Sequence, residues 1–188
     1  MNTLLLMLPL ILIIALLWGG YVLFKKKQGP QVPGPNGVTP YGVHGILAFF
    51  IFSSYFIAPL FTLAKVNSAF MNAELQNPSI LTLSGWSNYK MMSFALTIAL
   101  VIWQIVVARQ LRWQLVPKSL TNAKILCFGA SIVVIATDVA LAKMTLNVSP
   151  NGEAIAGYLS TIIAGWIWGL YFVFSKRCKH TYLMNVEN

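Results

Sequence analysis

The sequence predicts an all-α integral membrane protein: a four-helix transmembrane bundle plus one tethered N-terminal transmembrane helix, five spans in all, with the N-terminus outside and the C-terminus inside. Three observations carry this. The 188 residues are 57% hydrophobic and only 9% charged, far from the composition of a soluble domain, so apolar surface must face lipid. Five apolar runs of about 20 residues each match the roughly 30 Å of a bilayer's hydrocarbon core at 1.5 Å rise per residue. The cations, which give a formal net charge of +9, punctuate those runs and build no basic face with interleaved aromatics, so nucleic acid is not an expected partner.

Residues 1–27 form the expected N-terminal anchor. Thr3 to Phe24 is apolar and ends on Lys25, Lys26 and Lys27. A cleavable signal peptide would carry its positive charge before the apolar stretch, so a retained anchor that ends inside is expected. Pro9 bends it, and Ala15 and Gly19 form a small-residue pair suited to helix packing. Residues 28–40 (QGPQVPGPNGVTP) hold four prolines and three glycines, which suit neither helix nor strand and predict an extended cytoplasmic linker. At about 3.1 Å per residue it reaches on the order of 40 Å, so the anchor need not pack on the remainder. Residues 41–182 are the expected four-helix membrane domain, and 183–188 a cytoplasmic tail.

Within that domain the second span runs from about Gly45 to Ala64, kinked at Pro59 and closed by Lys65. Val66 to Tyr89 reads as a turn-rich outer segment lying on the membrane surface, expected first as an interfacial cover without a ligand and, as the alternative, as an outer face for a ligand or partner. Met91 to Ala108 returns inward to an inner loop, Arg109 to Lys124, in which Pro117 breaks the chain and Ser119 or Thr121 caps the next helix. Ile125 to Ala142 goes out, a turn through Asn147 to Glu153 follows, and Ile155 to Phe174 comes back to the basic tail Ser175 to Lys179.

The charges agree with this layout. Lys25, Lys26, Lys27, Arg109, Arg112, Lys118, Lys124, Lys176, Arg177 and Lys179 fall inside; Lys65, Lys90 and Lys143 fall outside, accounting for all 13 cations. Cations in short loops are retained on the cytoplasmic side, so the bias is met at every turn. Trp86, Tyr89 and Tyr158 map to the outer aromatic belt.

Gly157, Thr161, Gly165 and Gly169 recur every four residues along the last span and form one small-residue stripe for close helix packing. Asp138 is the one acidic residue inside an apolar span, and a carboxylate there must be paired, protonated or wetted. Cys127, Ser131 and Asp138 share a helical face, as do Ser93, Thr97 and Gln104 on the preceding span, so the two spans are expected to turn polar stripes toward a shared interior. Two readings of Asp138 stay open: a proton or cation site lined by Ser131, Gln104 and Thr97, or a structural pair with Lys143, Lys90 or Lys65.

No catalytic constellation is present among the motifs GxSxG, HExxH and the P-loop, and the four acidic residues form no spaced pair. No enzyme, cofactor or metal site is therefore expected. Cys127 and Cys178 make no CxxC and read as a packing residue and a free tail thiol; His44 and His180 are too isolated for a metal.

The ending formed by Trp168, Tyr171, Ser175, Lys176, Arg177, Lys179, Thr181 and Tyr182 resembles the closing signature of domain-of-unknown-function family 2569. Gly42 to Leu47, with Ala58-Pro59-Leu60 further on, is similar to the family's opening. The family more often has Gly where His44 stands, Trp for Ile46, Val for Cys178 and Phe for Tyr182. The resemblance covers about Tyr41 to Tyr182. It implies a four-helix unit with both ends inside and a bacterial cytoplasmic (inner) membrane, and it implies no activity.

The expected function is a non-enzymatic accessory or scaffold subunit of a membrane complex, whose partners are the lipid bilayer and another integral membrane protein. The alternatives are a small transporter or channel around Asp138, and an immunity-type protein against a membrane-targeting toxin.

Overall fold

The computed structural model describes Val43 and residues 45–182. The expected anchor with Ala15, Gly19 and Lys25 to Lys27, the 28–40 linker and the 183–188 tail lie outside the described residues. Those residues are all helical or loop, with four helices long and apolar enough to cross a membrane. The chain is a multi-pass membrane protein.

The first of these helices, α1 (Gly45–Gln76), is one 32-residue rod. It widens to a π turn over Ser53–Ile57, where Ala58 N–H donates to Ser53 O, directly before Pro59. Proline has no N–H, and its ring presses on the carbonyl four residues back, so a locally wider turn absorbs it. The helix then continues through Val66 to Gln76, a correction to the turn-rich outer segment expected there. That stretch has no glycine or proline, so nothing stops the helix until Asn77, which precedes Pro78 and leaves helical geometry (φ −138°, ψ 79°). A 3-10 turn, Pro78–Thr82, leads into α2 (Trp86–Trp113).

Helix α2 carries Arg109 and Arg112 within it, so the expected inner loop shrinks to residues 114–116. Helix α3 (Pro117–Leu146) starts on Pro117 behind an extended Val116, as the residue before proline favours. No side chain caps it. The Ser119 and Thr121 hydroxyls donate to the carbonyls of Gln114 and Pro117, so neither is the cap expected of it. A π turn at Leu126–Ala130 interrupts α3, and Asn147, left-handed at φ 54°, ends it. The Asn151 side chain accepts from Ala154 N at 2.8 Å and opens α4 (Gly152–Phe174). A short α5 (Lys176–Thr181) follows, capped by Ser175.

The helices alternate in direction. Helix α2 packs on both α1 and α3, and α4 packs on α3. The core sits at the end where α1 begins and α4 finishes, the basic end: Leu47, Ile51, Val107, Leu111, Leu120, Phe172 and Tyr182 are buried there. Phe50 of α1 meets Trp168 and Phe172 of α4 at ring-centroid distances of 4.9 and 4.8 Å.

Arg177 approaches Gly45, whose φ of +59° suits glycine. The Tyr182 hydroxyl donates to Leu111 O at 2.7 Å, satisfying one of the carbonyls left open at the end of α2. Cys178, expected as a free tail thiol, is wholly buried because α5 folds back over the base of the bundle. Burial pushes its thiol pKa up, against the lowering influence of Ser175, Tyr171, Arg177 and Lys124.

Burial falls steadily along the chain. Inside the bundle lies 39% of the apolar window of α1 but only 11% of that of α4, so α4 presents most of its surface outward.

Candidate functional site

At the end opposite the basic core, α2 begins with Trp86, and its first two turns place Tyr89, Lys90 and Ser93 toward the bundle. Asp138 of α3 faces them. Its Oδ1 accepts from the Tyr89 hydroxyl at 3.0 Å and from the Ser93 hydroxyl at 3.2 Å. Its Oδ2 accepts from the Tyr158 hydroxyl of α4 at 2.9 Å. One carboxylate thus joins three helices through three hydroxyls. Hydrogen bonds to a charged group are stronger than neutral ones, and most so away from water.

The lysines named for Asp138 stand elsewhere. Lys90 bonds Glu74 of α1 at 2.6 Å, while Lys65 and Lys143 are exposed. Glu74 also accepts from Trp86 Nε1 at 2.9 Å, which ties α1 to α2. Among the described residues, Lys90 and Glu74 form the one ion pair.

The polar stripes meet in part. Ser93 reaches Asp138 directly. Thr97, buried one turn further, spends its hydroxyl on Ser93 O at 2.7 Å. Gln104 is half-buried and lies eleven residues from Ser93, about 16 Å along the axis. Ser131 is about 10 Å from Asp138 by the same measure, and its buried hydroxyl has no hydrogen-bond partner among the described residues.

Ser131 instead faces α4 at Gly165, where an added β-carbon would fall 3.6 Å from its Oγ and 2.6 Å from Cys127 O. The seven residues from Ser131 to Asp138 are matched by the seven from Tyr158 to Gly165, as an antiparallel register requires. Gly169 continues the seam: a β-carbon there would fall 2.5 Å from the Phe128 ring. Gly157 is open, with nothing within 4 Å, and Thr161 is exposed and donates to Gly157 O at 2.9 Å. The small-residue stripe therefore divides into an internal half and an outward half.

The basic residues Arg109, Arg112, Lys176, Arg177 and Lys179 gather at the other end. The Arg112 guanidinium stands 4.8 Å from the centre of the Trp113 ring. Arg109, Gln110, Trp113 and Gln114 line a recess of about 550 Å³. Among the described residues no cluster of His, Cys, Asp and Glu could hold a metal ion.

Tyr89 and Tyr158, read from sequence as belt aromatics, are the site's main donors. Tyr89 stands four residues before Ser93 and so extends the Ser93–Thr97 stripe, a legible signal. Tyr158 carried none, because its partner lies 20 residues away on another helix. Gly85, at the start of α2, abuts the backbone of Thr145 at the end of α3, also a purely tertiary relation.

No curated protein and no solved structure matches the chain. A family model does match, over residues 40–183, and its description is protein of unknown function (DUF2569). The match spans the whole helical unit from α1 to α5, including the Asp138 site and the basic ending, and the chain belongs to that family.

Proposed function

We propose that this protein is a non-enzymatic accessory or scaffold subunit of a membrane protein complex in a bacterial inner membrane, with its C-terminus in the cytoplasm. The observation that carries this reading is the outward face of α4. Only 11% of its apolar window is covered by its own chain: Ile163, Trp166 and Ile167 are exposed on one side of the helix, and the open Gly157 and exposed Thr161 stand one turn apart on another. Lipid is as apolar as such side chains, so helix association in a membrane depends on close packing, which small residues permit.

The test is affinity purification of the full-length protein from native membranes in mild detergent. An unrelated membrane protein should co-purify in fixed ratio, and Gly157→Leu should reduce its recovery while leaving the bundle's melting unchanged. A lone monomer under every mild condition would rule the reading out.

Transport around Asp138 is the second reading, favoured by the three-helix carboxylate. It requires a water-accessible path past Ser131 and Gln104, which cysteines introduced at those positions would report by labelling from the aqueous phase.

A further inference from the structure

Next to Asp138 lies a cavity of about 480 Å³ whose wall includes Phe70, Trp86, Tyr89 and Tyr158, with Ala142 and Leu146 of α3. We infer that this cavity binds a small organic ammonium ion carrying an apolar body, an alkyl- or arylalkylamine, with Asp138 as its counter-charge.

Four aromatic side chains line one part of a half-open space of the size that holds small ligands. Phe70 sits edge-on to Trp86 and Tyr89, at centroid distances of 5.6 and 6.0 Å, which fixes the rings before any ligand arrives. Aromatic faces attract ammonium ions, more strongly once both are desolvated. Asp138, Ala142 and Leu146 follow one another every four residues on α3. The carboxylate therefore stands at the inner end of the helix face that lines the cavity.

Tyr89 and Tyr158, both in the wall, are also two of the three hydroxyls that hold Asp138. The charge thus lies one hydrogen bond behind the aromatic surface. The acidic groups on either side differ in one decisive respect. Glu74 is neutralised by Lys90, whereas hydroxyls alone hold Asp138 among the described residues. A carboxylate held by hydroxyls alone, one hydrogen bond behind a largely apolar and aromatic wall, favours a cation with a greasy body over an anion or a small hydrated metal ion. This inference is independent of the accessory role proposed above.

The experiment is calorimetric titration of the full-length protein, in a neutral maltoside detergent, with 2-phenylethylammonium and with 2-phenylethanol, which is nearly the same size and uncharged. Saturable binding of the ammonium ion, at least tenfold tighter than of the alcohol, is the expected result. D138N, which removes the charge and the Oδ2 acceptor of Tyr158 but keeps one carbonyl oxygen for the hydroxyls of α2, should lower the ammonium affinity at least tenfold and change that of the alcohol far less. Competition by phosphatidylethanolamine but not by phosphatidylglycerol would identify the amine as a lipid headgroup; its absence would identify a soluble amine. Equal affinity for the two probes, or no saturable binding of the ammonium ion to the unaltered protein, overturns the inference whether or not D138N folds.

Discussion

The hydroxyl of Tyr158 donates to Asp138 Oδ2 at 2.9 Å across the α3–α4 interface, on a carboxylate whose other oxygen is held from α2. This contact pins the least buried helix to α2 and α3 at the end remote from the core. Removing the hydroxyl alone leaves the ring in place. Tyr158→Phe should cost about 1 kcal/mol of unfolding free energy, within the range for hydrogen bonds in membrane proteins. Combined with Asp138→Asn the two losses should be less than additive, since they remove one interaction. Melting of the single and double variants in detergent measures the coupling.

The stripe on α4 should divide under mutation as it divides in space. Gly165→Val and Gly169→Val drive a side chain into the Cys127 carbonyl and the Phe128 ring, and each should destabilise the bundle by about 1–3 kcal/mol. Gly157→Val meets open space and should leave the melting temperature unchanged. Thermal melts of the three variants decide this, and equal losses for all three would contradict the internal seam.

Gly85→Ala should also lower stability, because the added carbon lands on the Thr145 backbone, which cannot move as a flexible side chain can. The backbone at Gly85 is ordinary (φ −84°), so sterics alone are at issue. Gly85→Ala should therefore melt below the parent, whereas Gly152→Ala, where nothing lies within 4 Å, should not.

At the basic end, Tyr182→Phe leaves the Leu111 carbonyl without the hydroxyl that meets it at 2.7 Å, at a cost of about 1–2 kcal/mol. The same fold-back shields Cys178. In a Cys127→Ser background its thiol should react with maleimide far more slowly than a free cysteine at neutral pH, for it is buried and its pKa is raised. A raised folded-state pKa keeps the thiol protonated, so the associated stability is complete below the unfolded value and declines as pH rises through the folded one. Rapid labelling of the folded protein at neutral pH would show that α5 does not cover the thiol.

Reporter fusions test the orientation. A fusion after Lys179 and one after Lys27 should both be active on the cytoplasmic side, and one within Pro78–Thr82 on the opposite side. An extracytoplasmic reporter after Lys179 would invert the assignment that the positive charges make.

The apolar lengths and the placement of lysine and arginine determined, by themselves, that this chain crosses a membrane and where its four described helices lie, because a bilayer accepts few other structures. Asp138, Ser93 and the Gly165–Gly169 seam were legible for the same reason: a polar or very small residue in an oily run needs an explanation. Helix ends were less so. Val66 to Gln76 looks like a loop by its polar residues, yet lacks any breaker, and so the helix simply runs on. Only the tertiary structure decided what Asp138 touches. A carboxylate in low dielectric takes whichever donors the packing brings near, and the register of α3 against α4 brought Tyr158, while Lys90 was drawn to Glu74. The burial of Cys178 and Tyr182 was decided in the same way, by a fold-back over distant Leu111 that no local pattern in the chain encodes.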